Sequence, residues 1–302
     1  MRGLNKTYLD DLKQGKLKYI LQAVIEDASL CLEIRNNYIN IYYRGGNIFR
    51  IKPIQKEYEI FFDINYCSKY KDLISNISSK DYDVWVENIP FIKAEMDAWF
   101  YRNPKLEREY QQLVLRENNN SSIAGDTDYF IADIEYANSE NGSRFDLLSL
   151  KWDSDSGSRR KADNIKLAFI EKKYGDSALS GSAGLQKHIK DMRAFLKDAA
   201  MVENIYNEME TVFNQKVQLG LIPDVNKEII INRNLKPEFI LLIANHKPIK
   251  SVLVRELKAA MKLDEYLDLK LLADVKIATA SFMGYGLYNK NMILLEDFIN
   301  EY

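Results

Sequence analysis

"KLAFIEKKYG", residues 166–175, decides how the rest of the chain is read. Leu167, Ala168, Phe169 and Ile170 form an unbroken apolar run of the kind a strand buried on both faces needs. The run then ends on Glu171, Lys172 and Lys173, although burying an unpaired charge is costly. Side chains alternate along a strand, so Glu171 and Lys173 share one face and Lys172 takes the other. Either the strand emerges into water at this point, or its end carries a site.

The preceding segments supply partners for that strand. "YFIADIEYA" (129–137) and "RFDLLSLKW" (144–152) alternate as strands do, and "NSENGS" between them contains the Asn-Gly signal of a hairpin. On the second of these, Asp146 shares a face with Leu148 and Leu150. If that strand pairs antiparallel with 166–174, its start lies beside the end of its neighbour, and Asp146 stands next to Glu171 and Lys173. Two converging carboxylates form an oxygen site for a hard divalent cation such as Mg²⁺. A lysine beside them can orient a water or stabilise charge developing on a phosphate.

Further out, residues 30–66 are rich in Ile, Tyr and Phe, with turn signals at Asn36-Asn37, Gly45-Gly46 and Pro53, and read as a β-meander. From Ile89 the period becomes helical: Pro90 opens a helix carrying Phe91, Met96, Trp99 and Phe100, and Asn103-Pro104 interrupts it. "PKLEREYQQLVLREN" continues helically with Leu106, Tyr110, Leu113 and Val114 on one face. Downstream of the central strand, "GDSALSGSAG" leads into one long amphipathic helix predicted over 184–219. "EFILLIANH" (238–246) reads as a strand, 251–262 as a helix, and "VKIATASFM" and "NMILLEDF" as two C-terminal strands. The central order is helix, three strands, helix, strand, which predicts an α/β fold: a mixed sheet flanked by helices, preceded by a β-rich α+β extension. The expected division is an N-terminal β-rich module over 1–88 and a core over 89–302.

Composition sets the frame. The chain has 302 residues, 46% hydrophobic, enough for a sizeable core. A formal net charge of −2 provides no global basic field to announce a nucleic-acid partner. Two cysteines, Cys31 and Cys67, suggest no disulfide framework and suit a reducing compartment. Neither a signal-peptide core nor an 18-residue apolar run is present, so the expectation is a soluble cytoplasmic protein with no membrane partner.

At Asp146 of "RFDLL" and at Glu171, Lys172 and Lys173 of "IEKK", the chain resembles the PD-(D/E)XK nuclease superfamily. The resemblance covers residues 104–246, including the order of elements, and leaves the first hundred residues aside. Phe145, not proline, precedes Asp146. The resemblance implies a restriction-endonuclease-like core that hydrolyses phosphodiester bonds of nucleic acid, DNA before RNA, with Mg²⁺ or Mn²⁺. It implies Asp146 and Glu171 as metal ligands and Lys173 as the residue assisting the water. It also implies a supporting glutamate from the first core helix, Glu109 or Glu107 of "LEREYQQ", and Gln186 of "GLQKH" early in the helix after the third strand. The alternative of another class is an inactive nuclease-fold protein that binds DNA or a protein.

Other features have plainer readings. Asp133 and Glu135 read as the polar face of an edge strand. "YGDSALSGSAG" lacks the Gly-Lys-Ser/Thr ending of a P-loop, and its Ser180 and Ser182 read as helix caps. His188 and His246 make no zinc pattern with two scattered cysteines, and His188 reads as a helix-surface residue. "SRRKADN" (158–164) reads as a solvated basic loop that could hold a phosphate backbone. Arg44 and Arg50 of "YYRGGNIFR" flank a hairpin turn among tyrosines that a folded meander buries for ordinary reasons.

Overall fold

The computed structural model describes residues 1–120, 124–137, 142–162, 164–246, 252–280 and 292–300. The chain forms two compact units, one of residues 1–116 with 211–228 and one of residues 117–210 with 229–302.

The first unit opens with helices α1 (Lys6–Lys13) and α2 (Lys18–Glu26) and then forms the expected meander: β1 (Leu30–Ile34), β2 (Ile39–Tyr43), β3 (Gly46–Ile54) and β4 (Glu57–Phe61), in that order and antiparallel throughout. Gly45-Gly46 makes the predicted turn. Tyr43 pairs with Gly46, and the two residues between them, Arg44 and Gly45, take φ of 50° and 75°, the left-handed values a two-residue type I′ hairpin requires. A side chain at 45 would also run into the Arg108 backbone, 2.5 Å from where its Cβ would lie. Short helices α3 (Lys71–Ser75) and α4 (Tyr82–Glu87) follow, then α5 (Ile89–Arg102), with proline in its first turn, and α6 (Leu106–Asn119).

The unit does not stop at residue 88. Ile92, Met96 and Phe100 of α5 are buried, and the last two press so closely on Gly46 that a Cβ there would lie 2.9 and 2.6 Å from them. The helix that sequence assigned to the core is thus part of the meander's own packing.

The second unit holds a six-stranded sheet built from β5 (Tyr129–Ala137), β6 (Arg144–Lys151), β7 (Lys166–Tyr174), β8 (Glu238–Ala244), β9 (Asp274–Ala280) and β10 (Ile293–Leu294), in the spatial order β10-β9-β8-β7-β6-β5. β5, β6 and β7 run antiparallel, β7, β8 and β9 parallel, so the sheet is mixed as predicted. Every residue of β8 is buried, and so is β7 apart from its two end residues, which is why each carries an apolar run, 167–170 in β7 and 239–244 in β8. The turn of the β5–β6 hairpin, 138–141, lies outside the described residues.

Around the sheet stand α7 (Ser156–Lys161), α8 (Leu185–Leu196), α9 (Ala199–Gln218, its last turns in the first unit), α10 (Val252–Met261), α11 (Asp264–Leu272) and α12 (Leu295–Asn300). All but α10 differ from expectation. The helix predicted over 184–219 divides at Lys197–Asp198, because Asp198 Oδ1 accepts hydrogen bonds from the Ala200 and Met201 N–H groups and starts a new helix. α11 was not foreseen. "NMILLEDF" contributes only two strand residues; Glu296 and Asp297 in a first turn and buried Leu295 and Phe298, three apart, make the rest helical. "SRRKADN" lies largely in α7, capped by Asp155, whose Oδ1 accepts from the Gly157 and Ser158 N–H groups.

Arg159 of α7 does not reach for solvent. Its guanidinium lies 4.4 Å from the Phe130 ring centre and 5.0 Å from that of Trp152, and it donates to the Thr127 and Asp153 carbonyls at 2.6 and 3.0 Å. Burial pushes its pKa down to about 10. One of the three cations proposed for a phosphate-holding loop is therefore spent on packing.

Candidate functional site

β7 carries its apolar run into the sheet and delivers Glu171 and Lys173 to its C-terminal end, where each is 6% exposed. Their side chains share a face and form an ion pair, Lys173 Nζ to Glu171 Oε1 at 2.9 Å. Lys172 points the other way, as alternation demands. It is wholly buried, with its Nζ 5.7 Å from the centre of the Tyr174 ring two residues on.

A third group closes on Glu171. His188 Nε2 lies 3.1 Å from the same Oε1 and 3.1 Å from the Ala183 carbonyl oxygen. Both neighbours accept hydrogen bonds, so Nε2 carries a hydrogen. Burial alone would raise the Glu171 pKa; the His188 contact, followed by Lys173, outweighs it and holds the carboxyl below its ordinary range.

Sequence reading placed Gln186, not His188, in this role. Positions 186 and 188 lie on opposite sides of a helix, and the buried stripe of α8 is Leu185, Ile189 and Met192. His188 falls on that stripe, facing the sheet. Gln186 is half-buried and does not line the cleft beside Glu171. The signal for His188 was present in the spacing 185, 188, 189, 192.

Asp146 lies where the strands part. The β6–β7 ladder ends at Leu147 opposite Ile170, so Asp146 stands across from Glu171, one step beyond the last pair. Its Oδ2 accepts the Lys172 N–H at 2.9 Å, taking the place of the main-chain carbonyl the ladder would otherwise supply. The expected antiparallel pairing of β6 with β7 is present and Asp146 fastens the end of β6 to β7, while the β6 residue that lines the cleft with Glu171 is its neighbour Phe145.

The remaining candidates have other surroundings. Glu109 belongs to the first unit, where it accepts from Arg44 Nε at 2.8 Å; Arg44 also reaches Asp97 at 2.9 Å. Glu107 is exposed on the same turn. Asp133 and Glu135 do sit on an edge strand, but Asp133, beside the register shift of β5, is wholly buried and Glu135 takes a left-handed φ of 51° and is half-buried, so they are not a solvated face.

Glu171 and His188 open onto a cleft of about 750 Å³ within the second unit. Its apolar wall includes Phe145, Met192, Phe195 and Phe239; Ser143, Arg144, Ser182 and Lys187 are among its polar residues. Among the described residues no three Asp, Glu, His or Cys side chains converge to hold a metal ion. A closed protein cage is therefore not formed by them.

Among the described residues no helix is long and apolar enough to cross a membrane. Comparison of the chain with protein-family models, with curated proteins and with solved structures finds no match.

Proposed function

We propose that the second unit hydrolyses phosphodiester bonds of nucleic acid in a reaction dependent on Mg²⁺ or Mn²⁺. The observation that carries this reading is the Glu171–Lys173 pair at 2.9 Å, held at a buried strand end with Asp146 across the ladder and a cleft in front. The order α6, β5 to β7, α8 and α9, β8 supports it, being the order of a restriction-endonuclease-like core.

Asp146 and Glu171 would hold the cation, which when bound polarises the phosphoryl group. Lys173 places an ammonium beside Glu171, where it can donate to a phosphoryl oxygen as negative charge develops there. His188, anchored on the Ala183 carbonyl, keeps the Glu171 carboxylate from turning away. Hydrolysis adds water across the P–O bond and leaves an alcohol and a phosphate monoester.

A binding module of the same fold is favoured by one observation: the Glu171 charge is already matched by Lys173 and His188. The two readings separate in one assay. The full chain is incubated with a panel of DNA and RNA substrates, with Mg²⁺, with Mn²⁺ and with EDTA. Hydrolysis predicts cleavage that EDTA abolishes and that Glu171→Gln lowers about 10²-fold or more. Binding without cleavage of any substrate favours the module and contradicts hydrolysis.

A further inference from the structure

β7 and β8 run parallel and end together, their last paired residues being Tyr174 and Ala244. One further main-chain bond follows, from the Gly175 N–H to the Ala244 carbonyl at 2.9 Å, and then both chains turn. Gly175 takes a φ of 75° and Asn245 one of 56°, a left-handed value uncommon outside glycine. Asn245 Nδ2 donates to the Tyr174 hydroxyl at 3.0 Å and ties the second turn to the first strand. Two residues beyond the last pair, each chain carries a side chain that can bind a metal: Asp176 after β7 and His246 after β8.

These two groups differ from the other buried charges of the sheet. Glu238, for example, receives the Tyr129 hydroxyl at 2.7 Å and the Lys276 ammonium at 2.8 Å. Asp176 Oδ1 and His246 Nδ1 are shut off from solvent, yet among the described residues neither has a hydrogen-bond partner. Burial pushes the His246 pKa down, and the Asp176 charge nearby pulls against it. Buried polar atoms without a partner are rare and each requires an explanation. A carboxylate oxygen asks for a cation or a donor, and a neutral imidazole nitrogen offers a lone pair. A divalent ion of borderline softness satisfies both, because Zn²⁺ and its neighbours take imidazole nitrogen and carboxylate oxygen together. Among the described residues no atom lies within 4 Å of where a Cβ at Gly175 would stand, so the turn leaves room beside the pair.

We infer that Asp176 Oδ1 and His246 Nδ1 hold a divalent transition-metal ion, Zn²⁺ or a close neighbour, across the ends of β7 and β8. Water completes its coordination. Two protein ligands make an open site, not a closed cage. The inference makes no use of Glu171, Lys173 or the cleft, so it stands or falls apart from the hydrolytic reading.

The chain has only two histidines, which makes the test direct. In His188→Ala the single remaining imidazole is His246, and binding of ZnCl₂ is measured by calorimetry with Mg²⁺ in excess, an ion that prefers oxygen ligands. The expected result is one bound Zn²⁺. Adding His246→Ala or Asp176→Asn should each weaken it about tenfold or more, since losing even an outer partner of a ligand costs about 10- to 100-fold. Circular dichroism in EDTA checks that each variant is folded. Absence of bound Zn²⁺ in the folded His188→Ala chain overturns the inference, and so does binding that either second substitution leaves unchanged. Should His188→Ala fail to fold, the wild-type chain decides. Zn²⁺ should then raise its thermal midpoint by binding the folded state, and His246→Ala should lessen that rise. An unchanged rise, or none in the wild type, overturns the inference.

Discussion

The two units each bury a glutamate against a lysine, and they do so for different ends. In the first, Glu33 of β1 and Lys216 of α9 are 0% and 1% exposed, their charged atoms are 2.8 Å apart, and Arg35 stands 3.8 Å from the same carboxylate. In the second, Glu171 and Lys173 are 2.9 Å apart at a strand end, with His188 as a third member and a cleft beyond. The chemistry of the pair is the same; the surroundings are not. A pair sealed on all sides holds structure in register, whereas a pair at the bottom of a cleft can exchange partners with a ligand. Ion pairing by itself therefore identifies no site, and access does.

The difference predicts unequal costs when either carboxylate is neutralised. Glu33→Gln removes the carboxylate that buried Lys216 pairs with and should cost about 3–5 kcal/mol. Glu171→Gln leaves His188 beside the cleft, still with an amide oxygen to accept from it, and should cost about 1 kcal/mol. Urea unfolding of the full chain measures both. Equal costs would mean that the cleft gives Glu171 no relief and that its pair is as structural as the other.

A smaller effect sharpens the comparison through pH. Glu95 of α5 is buried, and burial pushes its carboxyl up, but the N–H groups of Ser68, Tyr70 and Lys69 donate to it at 2.6–2.7 Å and hold it below its ordinary range. It caps the loop ahead of α3 as an anion. A depressed carboxyl contributes stability that is complete above the unfolded value, about 4.3 for glutamate, and is lost as pH falls through the lower folded value. Glu171 obeys the same sign. Glu95→Gln should therefore cost about 2 kcal/mol near neutral pH, and the gap from wild type should shrink below about pH 4. A gap independent of pH would show that the amide serves as well as the anion.

Much of this was legible, and the misses have a common cause. The meander announced itself through Gly45-Gly46, α5 through Pro90 and its end through Asn103-Pro104, because each of those residues restricts its own backbone. The strand-end charges of β7 and their facing followed from alternation alone. What stayed hidden depended on partners distant in sequence. The break at Asp198 has no glycine or proline, only a side-chain cap. Glu109 looked available until Arg44, 65 residues away, claimed it. α9 returns its final turns to the first unit, so the division at 88 could not be read from composition. His188 was visible on the buried stripe of its helix, yet only the fold shows that the stripe meets Glu171.

The most direct measurement compares two adjacent lysines. Lys173→Ala removes the cation paired with Glu171; Lys172→Ala removes a fully buried one on the opposite face of the same strand. Rates of Mg²⁺-dependent cleavage are measured per folded molecule, with unfolding followed in parallel. The account predicts that Lys173→Ala loses about 10²- to 10⁴-fold in rate with little change in stability. Lys172→Ala should lose about 2 kcal/mol or more of stability and retain its rate once the unfolded fraction is discounted. Equal loss of rate in both variants, or an undiminished rate in Lys173→Ala, would contradict the assignment of a site to the end of β7.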